Sequence, residues 1–182
     1  MSNTLIIYST FDGQTKAICE LVREIGESSG DSVNLVSLEE AQTLNLSHFD
    51  KILIGASIRY GKHRPELYLY INRHQAILNS KNNAFFTVNV VARKPEKNTP
   101  ETNPYMKKFL SLSLWKPQQL GVFAGKIDYP KYRFFDKTMI RFIMWMTKGP
   151  TDTKGTYEFT DWQQVEEFAK AFIDTPVLPQ DA

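Results

Sequence analysis

A doubly wound α/β sandwich is the fold class this sequence predicts. It has three layers, with a five-stranded parallel sheet in the order 2-1-3-4-5 held between helices. Three observations predict it. Short apolar, β-branched runs alternate with stretches of helical periodicity along most of the chain. The runs are continuously apolar, as strands buried on both faces require. The last periodic segment is a helix, which completes the pattern of strands crossing over through helices. The 182 residues suit one domain, expected over 1–175, with 176–182 as a flexible tail.

The first strand is read over Thr4–Ser9. Ile18, Leu21, Val22 and Ile25 then recur at helical spacing, and a turn at Ser28–Gly30 ends that helix. Val33–Leu38 reads as the second strand and Lys51–Ala56 as the third. Pro65 suits the first turn of a helix whose inner stripe is Leu67, Tyr70, Ile71, His74 and Leu78. His74 is expected to be packed or half-exposed. Ala84–Val90 is the fourth strand. Asn103 and Pro104 open a helix carrying Tyr105, Met106, Phe109 and Leu110. Leu120–Gly125 is the fifth strand. Thr160, Asp161, Trp162 and Gln163 match a capping box, and Val165, Phe168, Ala169 and Phe172 give the last helix its buried stripe.

Composition narrows the function classes. Hydrophobic residues are 42% and charged residues 23%, with a net charge of +2, so the overall charge gives no argument for a nucleic-acid partner. The single cysteine, Cys19, cannot close an intramolecular disulfide and is expected to be buried. Neither a signal peptide nor a membrane-spanning run is expected, and no metal site is expected.

In such sheets ligands bind beyond the carboxyl ends of the strands, where the strand order reverses. The loop after the first strand lies there. Ser9, Thr10 and Thr15 offer hydroxyls, Asp12 and Gly13 favour a tight turn, and Gln14 and Thr15 begin a helix whose N–H groups favour an anion. This is a phosphate cradle, or an ordinary strand–turn–helix with a polar cap. It has neither the G-x-G-x-x-G dinucleotide fingerprint nor the G-x-x-x-x-G-K-[ST] loop. The cradle contains no lysine or arginine, which suits a mononucleotide phosphate. Asp12 is expected to point outward and fix the turn.

Ser9-Thr10-x-x-Gly13-x-Thr15 resembles the FMN phosphate loop of flavodoxins. Ala56, Ser57, Ile58, Arg59, Tyr60 and Gly61 resemble the first loop flanking the flavin ring. Asn89, Val90, Val91, Ala92 and Arg93, with Lys94, resemble the second. The stretches STFDGQT, IGASIRYGKH, VNVVARKPEKNTPETN and TDTKGTYEFTDW together are similar to the menaquinone-dependent protoporphyrinogen IX dehydrogenase family. The resemblance covers essentially the whole chain and implies a flavodoxin-like fold with FMN as cofactor. It implies a six-electron oxidation of protoporphyrinogen IX in haem biosynthesis, with menaquinone as acceptor. The cofactor residues implied are Ser9, Thr10, Asp12, Gly13, Gln14, Thr15, Ala56, Ser57, Ile58, Arg59, Tyr60, Gly61, Asn89, Val90, Val91, Ala92 and Arg93. Arg59, Lys62, Arg93 and Lys94 are candidates for the propionates of the substrate, or are solvated loop charges. No catalytic side chain is singled out beyond the flavin itself.

Between the fifth strand and the last helix lies an insert, about 128–155, absent from a minimal fold of this kind. At 100° per residue, Arg133, Lys137, Arg141 and Lys148 share one face of a helix. Phe135, Met139, Phe142, Ile143 and Met146 share the opposite face, with Phe134 and Trp145 at the boundary. That is the pattern of a helix lying in a membrane interface, and equally of one packed on the domain or in a dimer contact. The membrane reading makes Phe135, Met139, Phe142, Ile143, Trp145 and Met146 the lipid-facing residues. It puts the protein peripherally on the cytoplasmic face of the inner membrane, where menaquinone lies. The competing functional classes are a flavodoxin-type electron carrier and an NAD(P)H:quinone reductase.

Overall fold

The computed structural model describes residues 1–179. Five strands form one parallel sheet in the order β2-β1-β3-β4-β5. They are β1 (Asn3–Ser9), β2 (Ser32–Ser37), β3 (Lys51–Ser57), β4 (Asn82–Val88) and β5 (Gln119–Phe123). Helices α1 (Gln14–Ser28), α2 (Leu38–Ala41), α3 (Pro65–Ser80), α4 (Pro104–Leu112), α5 (Phe134–Met146) and α6 (Trp162–Ile173) follow the chain. A two-stranded antiparallel ribbon, β6 (Lys126–Asp128) with β7 (Thr156–Glu158), stands apart from the sheet.

Alternation along the strands sorts the core into two layers. Leu5 and Ile7 of β1, Ile52 and Ile54 of β3 and Phe85 of β4 meet Leu67 and Ile71 of α3 and Met106 and Phe109 of α4. Ile6, Leu53 and Phe86 face the other way, onto Ile18 and Val22 of α1 and Val165, Phe168 and Phe172 of α6. Cys19 is buried in this second layer, and burial pushes its thiol pKa up. His74 is half-buried, its ring 4.5 Å from that of Tyr70.

Some element ends differ from the sequence reading, each for a local hydrogen-bonding reason. Leu38 starts α2 instead of ending β2. Ser37 and Glu40 form a capping box there, with Glu40 N donating to Ser37 Oγ at 3.1 Å and Ser37 N to Glu40 Oε2 at 2.7 Å. The fourth strand stops at Val88, because Asn89 accepts from Ala92 N at 3.0 Å and turns the chain into a 3-10 segment over Val90–Arg93. Asp161, not Thr160, caps α6, accepting from Gln163 N and Gln164 N. The Thr160 hydroxyl is occupied elsewhere, donating to Ala124 O at 2.7 Å.

The insert leaves at Asp128 and returns at Thr156, which pair across the ribbon. It builds a third small core from Ile127, Tyr129 and Met144, flanked by Ile140, Ile143 and Tyr157. Residues 176–179 have no regular structure and the side chain of Asn82 donates to Pro176 O; the rest of the expected tail, 180–182, lies outside the described residues. Among the described residues no helix is long and apolar enough to cross a membrane.

Candidate functional site

A cleft of about 820 Å³, counted with the open solvent at its mouth, lies at the carboxyl ends of β1, β3 and β4, between the sheet and the insert. The loop after β1 supplies its polar end. Gly13 sits at φ +90°, a conformation that costs an L side chain about 1–2 kcal/mol and glycine nothing. That turn aims the first N–H groups of α1 at the cleft, and no side chain caps them. Gly13 N itself donates to Thr10 Oγ1 at 2.9 Å. Thr15 is fully buried, lines the cleft, and its hydroxyl has no hydrogen-bond partner. An uncapped helix N-terminus beside an orphaned hydroxyl is a site built for an anion, and the residues present fit a phosphate group.

Gln14 lines the cleft as well, and its amide is held by Glu158 Oε1 and Thr160 Oγ1, both at 2.9 Å. This ties the start of α1 to the chain entering α6.

The second loop is a tight hairpin. Arg59 N donates to Lys62 O at 3.1 Å and Lys62 N to Arg59 O at 3.3 Å, with Tyr60 at φ 51° and Gly61 at φ 78° between them. Positive φ at both central residues is the signature of a type I′ turn, closed here by the single bridge between Arg59 and Lys62. Ser57, Ile58, Arg59, Tyr60 and Gly61 line the cleft from this side. Beneath the hairpin, His63 is buried between Phe85 and Phe109, its Nε2 3.0 Å from Thr87 Oγ1. Burial, aided by the charge of Lys108, lowers its pKa to about 4, so the ring is neutral at pH 7.

The third loop brings Asn89, Val90 and Val91 to the wall. Its shape is set by an amide pair, in which Asn103 Nδ2 donates to Asn89 Oδ1 at 3.1 Å and Asn89 Nδ2 to Asn103 Oδ1 at 3.3 Å. Asn103 Oδ1 also caps α4 through Tyr105 N and Met106 N. One pair of amides therefore joins the β4 loop to the α4 start.

The remaining wall is apolar and comes from the insert: Tyr132, Ile140, Ile143 and Met144, packed together with Ile127. Lys126 and Tyr105 stand at the edge. The sequence reading missed this wall, together with Val88 and Gly125. Among its site residues, Ser9, Gly13, Ala56, Ala92 and Arg93 shape or flank the loops without lining the cleft. Ser9 and Ala56 are buried at the strand ends, where Ser57 Oγ donates to Ser9 O.

The cations occupy different places from those expected. Arg93 donates to Val90 O at 2.9 Å and to Thr147 O at 2.8 Å, so it closes the C-terminus of α5 instead of offering its charge to a ligand. Lys62 is exposed and Lys94 half-exposed, and neither lines the cleft. Arg59 does line it, but Asp12 and Asp136 hold its guanidinium. Burial disfavours the Arg59 cation, yet the hydrogen bond and charge of Asp12 and the charge of Asp136 outweigh it and raise its pKa. Asp12 lines the cleft with its carboxylate paired to Arg59, and the tight turn it was expected to fix is held by Thr10, whose Oγ1 accepts from Gly13 N. The Tyr132 phenol is pushed up to about 12, by burial first and then by the charge of Asp12.

On α5, Ile143 faces inward onto the cleft, not outward with Phe135, Phe142 and Met146. The inner stripe of the helix runs through Ile140, Ile143 and Met144 and on to Thr147. The outer face exposes Phe134 at 85%, Phe135 at 69%, Phe142 at 53%, Trp145 at 69% and Met146 at 63%. Met139 lies between the two faces, half-buried.

Comparison with known proteins yields one family and a set of close relatives. Residues 5–154 match the Flavodoxin domain family. A protein of Escherichia coli strain K12 named protoporphyrinogen IX dehydrogenase (quinone) is 45% identical over 182 residues, covering 96% of this chain and 98% of that protein. One of the same name from Leishmania major is 41% identical over 174 residues, covering 95% of this chain and 75% of that protein. Among solved structures, oxidised Flavodoxin 2 from Bacillus cereus superimposes with a TM-score of 0.53 at 18% identity, over 94% of this chain and 97% of that one.

Proposed function

The chain belongs to the Flavodoxin domain family, and from that premise we propose that it is an FMN-dependent oxidoreductase that converts protoporphyrinogen IX to protoporphyrin IX and passes the electrons to a quinone. The observation that carries this reading is identity of 45% to an enzyme of that name over nearly the full length of both chains. The cleft agrees with it at both ends. The uncapped start of α1 and the orphaned Thr15 hydroxyl would hold the FMN phosphate. The loops carrying Tyr60 and Asn89 would flank the ring, and FMN when bound would supply two-electron redox chemistry. The apolar wall of Ile140, Ile143 and Met144 suits a large, flat, poorly hydrated partner such as a tetrapyrrole or a quinone ring.

The finer assignments rest on α5. A menaquinone acceptor requires a bilayer within reach. The exposed Phe134, Phe135, Phe142, Trp145 and Met146 would lie in the interface, with exposed Arg133, Arg141 and Lys148 toward anionic headgroups. Attachment would be peripheral, on the cytoplasmic face of the inner membrane. Arg59 and Lys126 are the cations lining the cleft, so they are the groups a substrate propionate would meet.

The test is anaerobic turnover of the FMN-loaded protein with protoporphyrinogen IX and a menaquinone analogue, followed by porphyrin fluorescence. Flavin-dependent growth of fluorescence is expected. Bound, intact flavin with no growth would shift the reading to an electron carrier.

A further inference from the structure

One guanidinium joins three separate segments at the mouth of the cleft. Arg59 belongs to the hairpin after β3. It pairs with Asp12 of the loop after β1, and its Nη1 lies 3.5 Å from Asp136 Oδ2 on the insert. Its flat face stands 5.0 Å from the Phe11 ring and 5.9 Å from the Tyr132 ring. The other oxygen of Asp136 accepts from the Tyr60 hydroxyl. So Asp136 holds two neighbouring residues of the hairpin, and both of them line the cleft.

An acidic residue in the first turn of a helix has an ordinary explanation, which is attraction to the helix N-terminus. Asp136 makes no capping hydrogen bond of that kind. No side chain caps α5, and both Asp136 oxygens are directed to the hairpin. An isolated exposed ion pair contributes little, about 0–1 kcal/mol. This one is not isolated: the Arg59 side chain is 18% exposed and Asp136 27% exposed, and four polar groups share the network. Among the described residues no other polar contact joins α5 to the hairpin: the inner stripe of Ile140, Ile143 and Met144 is apolar, and Arg93 holds only the C-terminal end of the helix.

We propose that Asp136 is a positioning residue for the cleft: by holding Arg59 and Tyr60 together it sets the insert wall at a fixed distance from the hairpin wall. It touches neither cofactor nor substrate and acts through the two residues that line the site. The inference rests on the cofactor reading of the cleft only for what the positioned walls hold.

The test compares Asp136→Asn and Arg59→Gln, singly and together, with the wild-type chain. Amide hydrogen exchange is read segment by segment, and FMN affinity by flavin fluorescence. Asp136→Asn is expected to speed exchange about tenfold in both 134–146 and the 59–62 hairpin, with β1 and β3 unchanged. It is expected to weaken FMN several-fold, and to add little in the Arg59→Gln background, since both act through one contact. Asp136→Glu should restore part of the protection. Faster exchange in 134–146 alone, or effects of the two substitutions that simply add, would overturn the proposal. If the wild-type chain did not bind FMN, the cofactor reading would fail, and the exchange pattern would still decide the role of Asp136.

Discussion

At the residue scale the site turns on a few side chains whose environment decides their role. Thr15 is the clearest. Its buried hydroxyl lacks a partner, which costs the free protein stability, and a bound phosphate would give it a charge-assisted hydrogen bond. Thr15→Val should therefore weaken FMN by about ten- to a hundredfold, following the ~1.5–3 kcal/mol of a hydrogen bond to a charged group, while the apoprotein melts no lower than wild type. Fluorescence titration and thermal melts check the two halves. His63 makes a second prediction. Its pKa falls from 6.5 to about 4 on folding, so below pH 6.5 the unfolded chain takes up a proton that the folded chain refuses. Stability contributed by the neutral ring is present above pH 6.5 and is lost as the pH falls to about 4, by about 3 kcal/mol. His63→Gln should flatten that part of a stability-against-pH curve measured by denaturant unfolding. Thr15 is legible in the sequence because hydroxyls around a helix start have local meaning. The engagement of Arg59 is not, since Asp136 lies far along the chain and only the folded insert brings it near.

At the element scale, the strands and most helices follow from local pattern, and the insert shows where pattern stops being enough. Two-faced burial makes β1, β3 and β4 read as apolar runs, and their order follows from right-handed crossovers. Helix α5 is different because it is apolar on two sides. Ile140, Ile143 and Met144 face the protein while Phe134, Phe142 and Trp145 face outward. A reading that sorts a helix into one apolar and one basic face merges these stripes, which is why Ile143 was grouped with the outward residues. The outward stripe gives a prediction at this scale. Replacing Phe134, Phe142 and Trp145 together by Ser should cut binding to vesicles containing anionic lipid by at least about tenfold, measured by co-sedimentation. Turnover with a short-chain, water-soluble quinone should survive, because none of the three lines the cleft. Equal vesicle binding by wild type and variant would remove the membrane assignment.

At the scale of the whole molecule, FMN binding and folding are linked, because the cleft draws on the sheet, three loops and the insert at once. FMN at about a hundred times its Kd should stabilise the fold by ~2.7 kcal/mol, or raise Tm by roughly 5–10 °C, and the Thr15→Val protein should show a smaller shift at the same concentration. The β6–β7 ribbon has a broader consequence. Asp128 and Thr156 are paired, so the chain departs for the insert and comes back at a single point. The entropy of closing that long excursion is met locally by the ribbon and places no demand on the sheet. Such a junction is a socket. Segments of other lengths and shapes could be exchanged through it, provided the replacement keeps a partner for the Arg59–Asp12 pair, so a lineage could change what covers the cleft without rebuilding the sheet beneath it.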